Sequence, residues 1–157
     1  MSTPPGLVRI HNVQHGGSLM KFNDGVALSS PKVNIDNNWH FTPTGGPPNA
    51  YIIEFIDTNG VAPGHLVITV EPDRGQDKMM DIVLRQLRGS DTQAWTVRGG
   101  PEGSYQICSM AIPFMCMRPD FNAPVQSNKP GVPVSAMRAE GGGPEMWWRM
   151  EYVDASG

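Results

Sequence analysis

Gln93-Ala94-Trp95-Thr96-Val97-Arg98, stopped by Gly99-Gly100, alternates polar and apolar residues around one tryptophan. Alternation with period two marks a strand that buries one face. Two relatives of this run occur, Asn38-Trp39-His40-Phe41-Thr42-Pro43 upstream and Glu145-Met146-Trp147-Trp148-Arg149-Met150-Glu151-Tyr152 downstream. A tryptophan-led strand thus recurs at intervals of roughly fifty residues, and the chain divides into three units.

Working outward, each unit supplies further short strands. In the first, Leu7 to Val13 alternates and is closed by Gly16-Gly17; Ser18 to Phe22, Val26-Ala27-Leu28 and the Trp39 strand follow. Asn23-Asp24-Gly25 is turn chemistry, because these residues tolerate positive φ. The second unit reads as Ala50 to Ile56, Leu66 to Val70, Met80 to Leu87 and the Trp95 strand. Lys78 to Arg88 holds no Gly or Pro, and Met79, Ile82, Val83 and Leu87 would also suit one helical face; the repeat decides for a strand. The third unit runs through Gly103 to Met110, Phe114 to Met117, Val132 to Met137 and a strand at Trp147-Trp148.

Three units of four strands, at about residues 6–46, 47–101 and 102–153, predict an all-β fold, a β-trefoil, in a single domain over residues 1–157. Six strands would close a barrel and six would cap it as hairpins. One such unit cannot bury its apolar face alone, whereas three share a core and leave few open edges.

Composition agrees with many short strands joined by turns. The 157 residues include 18 Gly and 15 Pro with 39% apolar content, a turn-rich pattern that still holds enough apolar residues for a core. Twelve basic and 15 acidic residues are interspersed, for a net charge of −3, which argues against nucleic acid as a partner. No apolar run reaches membrane-spanning length and no signal peptide is visible, so a cytoplasmic location without a membrane span is expected. Cys108 and Cys116 lack metal or redox spacing and are expected as two buried reduced thiols.

The sequence offers no catalytic residues. His11, His15, His40 and His65 are scattered and read as surface or rim residues, with no metal-ligand spacing. No nucleophile motif is present. The ten methionines and the tryptophans read as core. The expectation is a non-enzymatic binding protein without metal or cofactor, its function carried on loops.

Two binding classes compete. A lectin of the ricin type would repeat Gln-x-Trp in every unit, yet here it stands once, at Gln93-Ala94-Trp95; the counterparts are Asn37-Asn38-Trp39 and either Glu145-Met146-Trp147 or Met146-Trp147-Trp148. A glycan-binding protein with one or few divergent sugar sites is the alternative reading. The other class rests on Ala27-Leu28-Ser29-Ser30-Pro31-Lys32-Val33, Gly60-Val61-Ala62-Pro63, Thr92 to Val97 and Ser104-Tyr105-Gln106-Ile107. In order and spacing these resemble the mushroom β-trefoil serine-protease inhibitors of the cospin type. The resemblance implies a fungal defence role as a reversible inhibitor of a trypsin-like serine protease. It also implies a protease-binding loop at Lys21, Phe22, Asn23, Asp24 and Gly25, with Asn23 or Lys21 offered to the specificity pocket.

Overall fold

The computed structural model describes residues 7–22, 25–29, 38–57, 60–61, 66–76, 79–120, 132–138 and 143–152. Thirteen strands run through them: β1 Leu7–Asn12, β2 Leu19–Phe22, β3 Gly25–Leu28, β4 Asn38–Pro43, β5 Ala50–Asp57, β6 Gly60–Val61, β7 Leu66–Gln76, β8 Met79–Gln86, β9 Trp95–Gly99, β10 Tyr105–Ser109, β11 Met115–Pro119, β12 Val132–Arg138 and β13 Trp148–Tyr152. Short 3-10 turns at Asp91–Gln93, Pro101–Gly103 and Pro144–Met146 join some of them.

The strands follow from side-chain alternation. On β1, Val8, Ile10 and Asn12 point inward while Leu7, Arg9 and His11 lie on the outer side; on β5, Tyr51, Ile53 and Phe55 are buried and alternate with Ile52, Glu54 and Ile56. Strand β8 occupies the stretch that also fitted a helical face. It pairs in register with β7 from Leu66↔Gln86 to Glu71↔Asp81, and its Ile82, Val83 and Leu84 are all buried. Val83 is covered because β8 also meets Gly25 of β3.

The twelve-strand β-trefoil of three four-strand units, expected from the sequence, requires correction. All thirteen strands belong to one antiparallel sheet, ordered β11-β10-β13-β1-β4-β5-β7-β8-β12-β3-β2, which closes into a barrel through β11–β12. Two physical causes separate it from the expectation. Gly60 and Val61 pair back onto Asp57 and Ile56, adding β6 and giving the second unit a fifth strand. The hairpin strands are also bonded into the barrel wall: Glu54 of β5 pairs with both His40 and Val67, and Cys108 of β10 pairs with both Thr96 and Cys116.

Within that sheet the units still occupy equivalent slots, so the architecture is trefoil-like in its repetition. Trp39, Trp95 and Trp148 are fully buried, and each indole N–H donates to the carbonyl of a residue on a hairpin strand: Leu19 at 3.1 Å, Ile68 at 2.9 Å and Met117 at 3.1 Å. Burial of the ring is favourable only because the N–H finds this partner. Of the two tryptophans open in the sequence, Trp148 takes the slot and Trp147 lies half-buried outside it. Valines, isoleucines, leucines, Phe41, Tyr51, Phe55, Met115, Met117 and Ala136 fill the remaining core.

The two cysteines are a further correction. Cys108 and Cys116 stand directly opposite each other on β10 and β11 and form a disulfide, fully buried, where reduced thiols were expected. The register that brings them together is set by the turn over Ser109 to Phe114, in which the Ile112 N–H donates to Ser109 Oγ at 3.1 Å.

Candidate functional site

A cleft of about 550 Å³ opens where three loops meet. One wall is the end of β4 and its turn, with Pro43, Thr44, Gly46 and Pro47; the other is the segment after β8, from Leu87 to Asp91; Ile52, Ala94 and Met110 form the floor. The volume suits a small molecule.

Each wall is held by the chain's own bonds. The β4–β5 turn is closed by Thr44 N–H to the Ala50 carbonyl and Ala50 N–H to the Pro47 carbonyl, both at 3.1 Å. Gly45 sits in this turn at φ 86°, a left-handed conformation that favours glycine. The second wall wraps around Gln93, whose side chain is fully buried. Its Oε1 accepts from the Arg88 backbone N–H at 2.8 Å and its Nε2 donates to the Gln86 carbonyl at 2.8 Å, with a longer approach of 3.4 Å to Thr69 Oγ1. Ser90 caps the 3-10 turn by accepting from Thr92 N–H. The Gln of Gln-x-Trp therefore shapes the loop and does not face solvent.

The lining combines charged side chains with apolar surface. Arg88 and Asp91 are exposed, and among the described residues neither side chain has an ion-pair or hydrogen-bond partner. A guanidinium offers a planar set of donors and a carboxylate offers acceptors only. Leu87, half-exposed, and Pro47, Ile52 and Met110 supply the apolar part of the lining.

The cleft is open because of one residue. Met110 N–H donates to the Ala94 carbonyl at 3.0 Å, and in the third unit Val13 N–H donates to the Trp147 carbonyl at 3.0 Å. Ala94 and Trp147 therefore hold the same position, one residue before the buried Trp95 and Trp148. Trp147 lies against Gly100, so closely that a Cβ there would collide with its ring. Gly100 in turn corresponds to Thr44 of the cleft wall, since each donates its N–H across the following turn. In the third unit an indole fills the space that Ala94 leaves free.

The structure places the remaining sequence-predicted residues as follows. Lys21 is exposed on β2 and pairs with Val26 on β3, while Phe22 pairs with Gly25; Asn23 and Asp24 lie outside the described residues. The cleft shares no residue with this segment. His65 also lies outside the described residues, and His40 Nδ1 approaches Thr42 Oγ1 at 3.2 Å on the surface. His11 does not stand alone, because Ser18 and Glu151 flank it. Among the described residues no group of three or more His, Cys, Asp or Glu could hold a metal ion, and no helix is long and apolar enough to cross a membrane. Sequence reasoning missed Arg88, Asp91 and Thr44, which carry no motif and meet only in the fold.

No family model and no curated protein matches the chain. Solved structures do. A designed threefold-symmetric protein, ThreeFoil, aligns with TM-score 0.70 at 16% identity, over 94% of this chain and 99% of its own. The agglutinin of Rhizoctonia solani aligns with TM-score 0.69 at 13% identity, over 98% and 99%. A GH43 β-1,3-galactosidase aligns with TM-score 0.67 at 14% identity, over 94% of this chain but 27% of that enzyme. At such identities the likeness is one of fold: a closed, trefoil-like all-β barrel.

Proposed function

We propose that this chain is a non-enzymatic carbohydrate-binding protein that takes a neutral sugar in the cleft between the β4–β5 turn and the Leu87–Asp91 segment. The observation that carries this reading is that Arg88 and Asp91, whose side chains have no partner among the described residues, line the same cleft as the apolar Pro47, Ile52 and Met110. A pyranose presents hydroxyls that both donate and accept, and faces of C–H groups. Asp91 accepts hydroxyl protons, Arg88 donates to hydroxyl or ring oxygens, and Pro47, Ile52 and Met110 receive the C–H face. One charge of each sign favours a neutral ligand over an ionic one. The similar folds include an agglutinin and a galactosidase, which support the sugar class over the protease class.

The test copies the third unit into the second. Thr44→Gly with Ala94→Trp reproduces the Gly100 and Trp147 pair, so the variant has a native precedent for folding. The wild-type chain is expected to give a glycan-array signal that free sugar competes away, and the double variant to lose it while keeping its cooperative melt. A folded double variant that binds the same glycans overturns the assignment of the cleft; a wild-type chain with no glycan signal overturns the sugar reading. A titration against trypsin runs in parallel, and inhibition at micromolar protein would favour the inhibitor reading of Lys21 to Gly25.

A further inference from the structure

On the opposite face of β1 from the core, three side chains form a connected line. Ser18 Oγ lies 2.9 Å from His11 Nδ1, and His11 Nε2 lies 3.1 Å from Glu151 Oε1. The backbone fixes all three. His11 and Ser18 form a β-bridge, and the register Arg9↔Glu151 and His11↔Arg149 sets Glu151 diagonally across from His11. Ser18 is held from behind by its own N–H to Ser29 Oγ at 3.1 Å. Gly17 precedes it where a Cβ would collide with the Ser29 carbonyl, so the chain must be glycine there.

The partners decide the tautomer. A carboxylate only accepts, so His11 Nε2 carries the proton and donates to Glu151, which leaves the Nδ1 lone pair facing the Ser18 hydroxyl. This is a nucleophile, a base and a residue that positions the base, in hydrogen-bond sequence. The His11 side chain is 30% exposed and that of Glu151 59%, so the line is open to solvent. Arg9 Nη1 stands 3.9 Å from the same Glu151 oxygen and leaves the shorter histidine contact dominant.

We propose that Ser18 is an activated nucleophile that accepts an acyl group from activated esters or thioesters, with His11 as base and Glu151 as a positioning residue. Ser18 Oγ forms a bond to the acyl carbon while its proton passes to His11 Nδ1. The bond from the acyl carbon to the ester oxygen or thioester sulfur breaks, and the leaving group departs with that electron pair. The neighbouring amides are already committed, since Gly17 N–H donates to His15 Nδ1 and Ser18 N–H to Ser29 Oγ. Neither of these two amides is therefore free to serve as an oxyanion donor, and removal of even one such donor costs other enzymes about 10²–10³ in rate. The acyl-serine accumulates instead of turning over.

The experiment treats the full chain with p-nitrophenyl acetate and follows p-nitrophenolate release, with peptide mapping of the product. The expected result is a burst of one equivalent per chain, the acetyl group on Ser18, and a rate about 100-fold above that of Ser90, whose hydroxyl meets Thr92 and no imidazole. Ser18→Ala abolishes the burst, His11→Gln lowers it to the Ser90 rate, and Glu151→Gln gives an intermediate rate; melting curves identify any variant that fails to fold. Equal labelling of Ser18 and Ser90, or a folded His11→Gln variant that reacts at the wild-type rate, overturns the proposal.

Discussion

Gln93→Met is the substitution that most directly tests how the cleft is built. Met146 occupies the matching position, two residues before Trp148, so a thioether of similar length is accommodated in this slot elsewhere in the same molecule. The change removes two hydrogen bonds of 2.8 Å, from the Arg88 N–H and to the Gln86 carbonyl, and one weak approach to Thr69. Arg88 and Gln86 are exposed, so water replaces the lost partners and the net value of about 1 kcal/mol per bond applies in place of the full penalty for a buried orphan. The sum is about 2 kcal/mol, which for a domain of this size lowers the melting temperature by about 4–8 °C. Freed of its anchor, the Leu87–Asp91 wall spends part of its time away from the binding geometry; if it remains in place for a tenth to a third of the time, affinity for the sugar falls about three- to tenfold. Calorimetric melting and glycan titration measure the two effects, and amide exchange at Arg88, slow in the wild type and fast in the variant, reports the anchor without any ligand. A variant that melts at the wild-type temperature with Arg88 still protected would refute the role given to Gln93.

Two further outcomes follow from other parts of the fold. The Cys108–Cys116 bond closes a loop over a separation of 8 residues, for which chain-entropy loss in the unfolded state is worth about 2.5 kcal/mol; Cys108→Ala with Cys116→Ala should lower the urea midpoint accordingly, and thiol titration of the unfolded wild type should find free thiols only after reduction. Glu145 is the acid-sensitive group. Burial pushes its carboxyl up, but the Gly143 N–H, its own N–H and the Arg118 guanidinium outweigh burial and hold it below the ordinary 4.5. A carboxyl held low in the folded state contributes stability above 4.5 and loses it as pH falls through the lower folded value. Urea titrations from neutral pH downward should therefore show a loss of stability below 4.5 that Glu145→Gln, less stable at neutral pH, does not show; parallel curves for the two proteins would remove Glu145 from the acid response.

The parts of the fold that were legible in the sequence are those where a single residue's own requirements settle its place. An indole is too large to leave exposed and its N–H too polar to bury alone, so three tryptophans at near-equal spacing announced three equivalent slots, and the structure gives each a backbone carbonyl on a hairpin strand as partner. The strand at Met79–Gln86 was readable because the repeat demanded it, although its local pattern also fitted a helix. What escaped was whatever depends on two distant residues at once. The bonding of Cys108 to Cys116 turns on a register, and the sixth strand on the pairing of Gly60 and Val61 back onto β5. His11 read as an isolated surface residue because its carboxylate partner lies 140 positions away and reaches it only through β1–β13 pairing.

The cleft makes the same point from the side of what is missing. Nothing about Ala94 suggests a site, since an alanine before a buried tryptophan is chemically mute. Its meaning comes from the third unit, where Trp147 at the same position packs onto Gly100 and leaves no room. Gln-x-Trp stands once where a ricin-type lectin would repeat it, and Gln93 is fully buried against the loop it shapes. Its contribution is indirect: by fixing the Arg88 backbone it holds the segment that lines the cleft with Arg88 and Asp91, beside the small residue at position 94. In a repeated fold the units share their buried residues because all three must satisfy the same core, and they differ at the positions just outside it. The place to look for function is therefore where one unit departs from the others by volume, and here that departure is an alanine set against a tryptophan.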